Sequence, residues 1–156
     1  MGKQIEEEVR NITNVDYGHF LPNYSGKCNH LHYHTSWNIG VTLKGEIIAG
    51  ERMLIDFGEV KRVVKEAVNF IDHKMIVPMS AYKETTKDGR IKAEYENRTL
   101  ILPIEEVALF DKDSTAENIA DYLAGQILTQ LPLNINSVTI HFSEGVNNYI
   151  SAEAVR

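Results

Sequence analysis

Four histidines, His19, His30, His32 and His34, fall within sixteen residues of one another, and Cys28, the only cysteine of the chain, lies among them. Side chains two apart on an extended segment share a face, so His32 and His34 can converge on one ion. Catalytic zinc commonly takes three protein ligands and keeps a fourth position open. His19, in Tyr17-Gly18-His19-Phe20, is the best third ligand because it lies just upstream on a neighbouring extended segment, and His30 competes for any of the three places. An H-x-H pair is also compatible with a plain polar strand face. Cys28 stays open at this level: a lone cysteine is often a small buried hydrophobe, but a cation nearby favours its thiolate, as a ligand, a nucleophile or a general base. In Asp72-His73 a carboxylate can hold an imidazole in one tautomer for proton transfer; the same pair also fits a helix-end charge beside a surface histidine. Glu144, after Ser143, reads on its own as a solvated acid.

These groups sit in a chain of 156 residues, one domain's worth of sequence. Sixteen basic against twenty-two acidic residues leave a net charge of −6. That excludes a general basic footprint for nucleic acid, but not a locally positive pocket for a small anion. A single cysteine forbids an intrachain disulfide and points to a reducing compartment, hence the cytoplasm. No apolar run approaches the roughly 18 residues of a membrane span. The first ten residues carry Glu6-Glu7-Glu8 and show no signal-peptide pattern.

The elements that must position the site follow from the apolar period. Trp37, Ile39, Val41 and Leu43 alternate with Ser36, Asn38, Gly40 and Thr42, a half-buried strand. Val60, Val63, Val64, Ala67, Val68 and Ile71 recur at helical spacing after Asp56, which predicts a helix over 57–70 capped by Asp56 with Glu59 three residues on. Ser114 and Glu117 form an S-x-x-E signature before the stripe Ile119 to Leu131, and Pro132 closes that second helix. Val138–Phe142 and Ile150–Ala154 read as a hairpin, with a weaker strand near 10–17. Between the helices, 75–113 reads as an inserted β excursion with a two-residue turn at Asp88-Gly89 and extended segments at 91–95 and 99–102. The order predicts an antiparallel α+β domain with two helices on one sheet face. Strict alternation then puts His30, His32 and His34 opposite the Trp37–Leu43 face, pointing away from the helices toward solvent, a cleft or a subunit interface.

Taken together the pieces resemble the 6-pyruvoyl-tetrahydropterin synthase / 6-carboxy-tetrahydropterin synthase family, in order along nearly the whole chain. The matching segments are Tyr17-Gly18-His19, Cys28-x-x-x-His32-x-His34, Met53–Phe57, Ile71-Asp72-His73, Ser114–Asn118 and Ser143-Glu144. The resemblance implies that His19, His32 and His34 hold zinc, that Cys28 carries a proton, and that Asp72 orients His73 as the opposite acid/base. It implies that Glu144 anchors the pterin, with Thr115 and Glu117 beside it. It further implies a tunnelling fold, a four-stranded antiparallel sheet with two helices in one domain over 1–156. Trimers or hexamers would carry active sites between subunits.

The implied substrate is 7,8-dihydroneopterin triphosphate. Three residues separate Cys28 from His32, which is similar to the 6-carboxy branch, the route toward 7-deazaguanine nucleosides such as queuosine. The alternatives are the pyruvoyl-forming reaction and a zinc-stabilised pterin-binding oligomer without catalysis. Three departures bear on this: Tyr33 replaces the glycine between the zinc histidines, Gly145 replaces a threonine after the late glutamate, and the 75–113 stretch is longer than in compact members. Lys27, Lys44 and Lys74 are the candidates for the triphosphate.

Overall fold

The computed structural model describes residues 2–156; Met1, the first residue of the 1–156 span, lies outside the described residues. The strands are β1 (Lys3–His19), β2 (His32–Ile47), β3 (Lys74–Pro78), β4 (Tyr82–Thr85), β5 (Arg90–Tyr95), β6 (Arg98–Pro103), β7 (Val107–Phe110), β8 (Ile135–Glu144) and β9 (Asn148–Val155). The helices are α1 (Phe57–Val68), after β2, and α2 (Ala116–Gln130), after β7. Short 3-10 turns lie at Lys27–Asn29 and Ile104–Glu106.

The helices form where period and caps place them. Asp56 caps α1, its Oδ1 accepting from Gly58 N at 2.7 Å and Glu59 N at 3.4 Å. Glu59 does not complete a capping box but pairs with Arg62 at 2.7 Å. At α2 the cap is Thr115, whose Oγ1 accepts from Asn118 N at 3.2 Å. The S-x-x-E signature is therefore one residue out of phase, and Ser114 is free for another task. Both helices cover one face: α1 packs on β1, α2 on β8 and β9, and the two touch each other. Val60, Val63, Val64, Ile119, Leu123 and Ile127 meet Val15, Tyr17, Ile39, Val41, Leu43, Ile140 and Phe142 in one core.

The sheet is larger than the four-stranded antiparallel one expected. Its order is β7-β3-β1-β2-β8-β9, and a separate sheet has the order β4-β5-β6. β1, β2, β8 and β9 pair antiparallel as foreseen, but β3 joins the outer side of β1 in parallel, and β7 joins β3 in parallel. Met75–Pro78 and Val107–Phe110 are short apolar runs buried almost throughout, the pattern of parallel strands covered on both faces. The excursion thus starts and ends inside the main sheet. Its middle, β4–β6, packs Ile91, Ala93, Tyr95 and Leu100 on Phe20, Met75 and Val77 in a second core. The turn before β5 spans four residues rather than two, Thr86 to Gly89, with Gly89 at φ +80.

The parity argument fails at one place. Along β2, His34 and Ser36 are inward, Trp37 and Asn38 are exposed, and Ile39, Val41 and Leu43 are buried. The ladder to β1 slips by a residue there, between Val15↔Ser36 and Thr13↔Ile39, and Asn38 takes φ +55. A one-residue bulge reverses the face of everything beyond it. His32 and His34 therefore lie on the same side as Ile39–Leu43, the helix side, and Trp37 is turned out.

Candidate functional site

The register of β1 and β2 builds the site. Tyr17 lies opposite His34 and His19 opposite His32, so three imidazoles project from adjacent strands near the N-terminus of α2. Ring centroids are 4.3 Å apart for His19–His32, 5.1 Å for His19–His34 and 4.9 Å for His32–His34. One ligand atom from each, with one carboxylate oxygen of Glu144, all fall within 4.8 Å of one another.

Hydrogen bonds set the orientation of two of the three rings. His19 Nδ1 lies 2.7 Å from the Ser114 carbonyl and 3.2 Å from Ser114 Oγ; His32 Nδ1 lies 2.6 Å from the His30 carbonyl. A carbonyl only accepts, so each Nδ1 carries the proton and donates, and each Nε2 presents a lone pair. That is the arrangement by which partners outside a metal site fix the tautomer of its ligands. The Nε2 atoms of His19, His32 and His34 are all buried without a hydrogen-bond partner. Buried unpartnered nitrogens are costly, and three converging on one point are what a borderline-soft cation such as zinc takes. The donor set fits the metal. Burial pushes the His19 imidazole down to about 4, helped by the neighbouring His32 and His34. Burial also lowers His34, against the pull of Glu144. A neutral His19 is the metal-binding form.

Glu144 reaches this cluster through the same bulge. Ser143 N donates to Ser36 Oγ at 2.9 Å and Trp37 N donates to Ser143 Oγ at 2.8 Å, while Gly145 N donates to Thr35 O at 3.1 Å. The end of β8 is thereby stitched to the slipped part of β2. Glu144 Oε1 lies 2.6 Å from His34 Nε2 and 4.0 Å from His19 Nε2, the first contact being close but out of line for a hydrogen bond. Gly145 takes φ +73 in open space, a left-handed position that favours glycine over threonine.

The remaining candidates scatter. Cys28 sits half-buried on the 3-10 turn, its carbonyl accepting from Leu21 N at 2.8 Å, and it is not part of the ligand cluster. Asp72 and His73 pair, Oδ1 to Nδ1, at 2.9 Å, with the His73 side chain 76% exposed. His73 holds φ +56 while its N donates to Asp16 O at 2.7 Å. His73 of this pair lines a cavity of about 240 Å³ with Asp16, Tyr17, Gly18, Tyr33, Lys74 and Met75. Residues 16, 18 and 33 alternate with 17, 19, 32 and 34, so the dyad opens on the sheet face opposite the histidine cluster.

Tyr33 points away from the histidines, as its parity predicts, and is 78% exposed. Gly18 makes room for it, since a Cβ there would come within 2.9 Å of the Tyr33 ring. Thr115 is half-buried as a helix cap and borders a groove with Leu21, Asn23, Tyr24, Ser80 and Asp113. Glu117 is exposed. Lys44 is engaged with Glu6 and Glu153, while Lys74 stands beside His73.

Two participants escape sequence reasoning. Ser114, read as a cap, holds His19. Tyr17 is buried with an unpartnered hydroxyl, its ring 5.5 Å from His19 and 6.0 Å from His34, and burial together with the Glu144 charge raises its pKa, holding the phenol protonated. Its place beside His19 in the motif was the only signal.

Comparison with known proteins bears on this site. The family model described as 6-pyruvoyl tetrahydropterin synthase matches residues 8–154. A protein of Methanocaldococcus jannaschii provisionally named 6-carboxy-5,6,7,8-tetrahydropterin synthase is 34% identical over 127 residues, 76% of this chain and 77% of that protein. A Pyrococcus abyssi protein with the same provisional name is 31% identical over 137 residues, 86% and 82% of the two chains. The crystal structure of Plasmodium vivax 6-pyruvoyl tetrahydropterin synthase superposes with a TM-score of 0.82 at 22% identity, covering 99% of each chain. At that identity the superposition speaks for the fold.

Proposed function

The chain belongs to the 6-pyruvoyl tetrahydropterin synthase family, and from that premise we propose that it is a zinc-dependent lyase converting 7,8-dihydroneopterin triphosphate to 6-carboxy-5,6,7,8-tetrahydropterin. The observation that carries the reading is the convergence of three buried, unpartnered Nε2 atoms, two of them with their Nδ1 protons committed to carbonyls. The three-residue gap between Cys28 and His32, together with the names of the two archaeal relatives, favours the 6-carboxy product.

His19, His32 and His34 hold the ion. When bound, zinc supplies charge stabilisation to the oxygens of the substrate's hydroxylated side chain. Cys28 removes or returns a proton on that side chain, from a turn anchored two residues beyond His19. Asp72 holds His73 by its Nδ1, leaving Nε2 for the opposite proton transfer. Because the dyad opens on the other sheet face, a second copy of the chain delivers it, in a trimer or hexamer with sites between subunits. Glu144 accepts the pterin's 2-amino and ring N–H hydrogen bonds. A two-pronged grip needs both its oxygens, so Oε1 leaves His34 when the pterin arrives. Thr115 and Glu117 flank that end. Lys74, beside the dyad, supplies a positive charge for the triphosphate in an otherwise acidic protein.

The whole of 1–156 acts as one domain, in the cytoplasm, upstream of 7-deazaguanine nucleosides such as queuosine. No helix among the described residues is long and apolar enough to cross a membrane.

The experiment is incubation of zinc-loaded protein with dihydroneopterin triphosphate and identification of products by mass. Release of acetaldehyde with 6-carboxytetrahydropterin is the expected result. A pyruvoyl product without acetaldehyde assigns the triphosphate elimination instead. Binding of pterin without turnover sinks the enzyme reading and leaves the scaffold as a binding protein.

A further inference from the structure

The sheet β4–β5–β6 takes no part in the chemistry above, yet one end of it reaches the turn that carries Cys28. The residue after the cysteine, Asn29, is polar and buried, and each of its polar groups is engaged. Its N donates to Gly26 O at 3.1 Å, closing the turn. Its Nδ2 donates to Leu21 O at 3.3 Å and to Glu96 Oε1 at 2.9 Å. Its Oδ1 accepts from Arg98 Nη1 at 2.6 Å, and its carbonyl accepts from Tyr95 Oη at 3.0 Å. The three partners Tyr95, Glu96 and Arg98 all come from the β5–β6 turn.

These partners are themselves fixed. Arg98 Nη1 also donates to Glu96 Oε2 at 3.0 Å, and its guanidinium lies 5.2 Å from the centre of the Tyr95 ring. Tyr95 stacks on Phe20 at 4.3 Å and 13°, and Phe20 follows His19 directly. Glu96 adopts φ +51, a left-handed conformation uncommon for a glutamate, and in that conformation it meets Asn29. Apolar packing alone would seat this sheet on β1 and β3 without any such network. Asn29 and Tyr95 are the network's buried part, with Arg98 and Glu96 at the solvent rim, and buried polar groups that are fully satisfied select one geometry over its neighbours.

We propose that the β4–β5–β6 sheet is a clamp on the Cys28 turn, with Asn29, Tyr95, Glu96 and Arg98 as positioning residues that set the thiol relative to the histidine cluster. The clamp grips the chain directly after the first ligand, at Phe20, and directly after the cysteine, at Asn29. Its catalytic consequence rests on the proton-carrying role of Cys28 proposed above. Its geometric consequence does not.

Cys28 is the chain's only cysteine, so alkylation by iodoacetamide reads its environment alone. The test compares wild type with Arg98→Ala, Arg98→Lys and Tyr95→Phe at a temperature well below unfolding. Release of the turn by Arg98→Ala is expected to raise the alkylation rate about tenfold through local opening. A displaced catalytic group also lowers kcat by about 10- to 100-fold while KM holds within about twofold. Arg98→Lys, which keeps the charge and one bond, recovers part of both. Tyr95→Phe keeps the stack on Phe20 and loses one hydrogen bond, so it shifts both readouts less and in the same direction, and it decides the matter alone if Arg98→Ala does not fold. Alkylation and kcat at wild-type values in the folded variants overturn the clamp. Altered alkylation in a protein whose wild type turns over no pterin upholds the clamp and removes the enzyme reading. Unaltered alkylation beside normal wild-type turnover does the reverse.

Discussion

The two halves of the proposed machinery are built in opposite ways. The histidine cluster is inside: His19 is 1% exposed, its partner strand is held in register, and its tautomer is set by a main-chain carbonyl. The Asp72–His73 dyad is outside, at a left-handed bend after α1, with His73 on an open cavity of the other sheet face. The first half is complete within one chain. The second is a carboxylate–imidazole pair that also meets Asp16, whose N donates to Asp72 Oδ1 at 3.3 Å and whose Oδ2 lies 4.0 Å from His73 Nε2. On the proposed function, the difference teaches which part of the site folding alone would supply and which part would wait for a neighbour. A core-side cluster is organised by the same packing that makes the fold, so its geometry costs little beyond folding. The surface dyad, with His73 exposed in the single chain, would gain a water-free setting only if another copy covered it, as the proposed function requires.

The largest expected effect breaks the inner half. His34→Ala removes one of three nitrogens and leaves Glu144 as an uncompensated neighbour of the remaining two. Metal content, measured on the purified protein by atomic emission, is expected to fall from about one ion per chain to a small fraction, and turnover with it. Retention of a full ion with normal turnover would show that the cluster is only a polar interior.

A subtler experiment sets one half against the other. His73→Ala leaves the inner cluster untouched, so its metal content should equal that of wild type while turnover is lost. Cys28→Ala should behave likewise. If the halves meet only across copies, subunits of the two variants mixed by unfolding and refolding recover activity. In random assembly half the copies bring Cys28 and half of their neighbours bring His73, so about one quarter of wild-type turnover returns. A mixture as inactive as its components would place both halves within one chain, against the opposed faces of β1.

How much of this was legible depended on whether the signal was local. Both helices could be read because their stripes repeat every three to four residues and Asp56 and Pro132 bound them. The C-terminal hairpin could be read because its faces differ in polarity. β3 and β7 could not, because short runs buried on both sides, such as Met75-Ile76-Val77, carry no alternation to count. The three clustered histidines were visible as H-x-H plus an upstream histidine. Their direction was not, because a single slipped residue at Asn38 leaves no trace in composition yet reverses the face. The closeness of Glu144 to His34 was equally hidden, since it depends on Ser36 and Ser143 meeting across strands far apart in the chain. The excursion was recognised as β structure, but its grip on Asn29 rests on contacts between residues more than sixty positions apart.

The smallest effect tests the border between the halves. Thr115 caps α2 directly after Ser114, the residue that orients His19, and it also borders the groove formed with Leu21, Asn23 and Tyr24. The two roles make different demands on one hydroxyl. A cap lost in Thr115→Ala costs about 1 kcal/mol, which in a chain of this size lowers Tm by about 2–4 °C. Asn at this position caps as well as threonine or better, so Thr115→Asn is expected to restore Tm. If capping is the whole role, KM for the pterin is unchanged in both variants. If the hydroxyl also meets the substrate, KM rises in both, including the variant whose stability has returned. That split separates holding the helix end beside the clustered histidines from touching the proposed substrate, and it does so without disturbing either cluster.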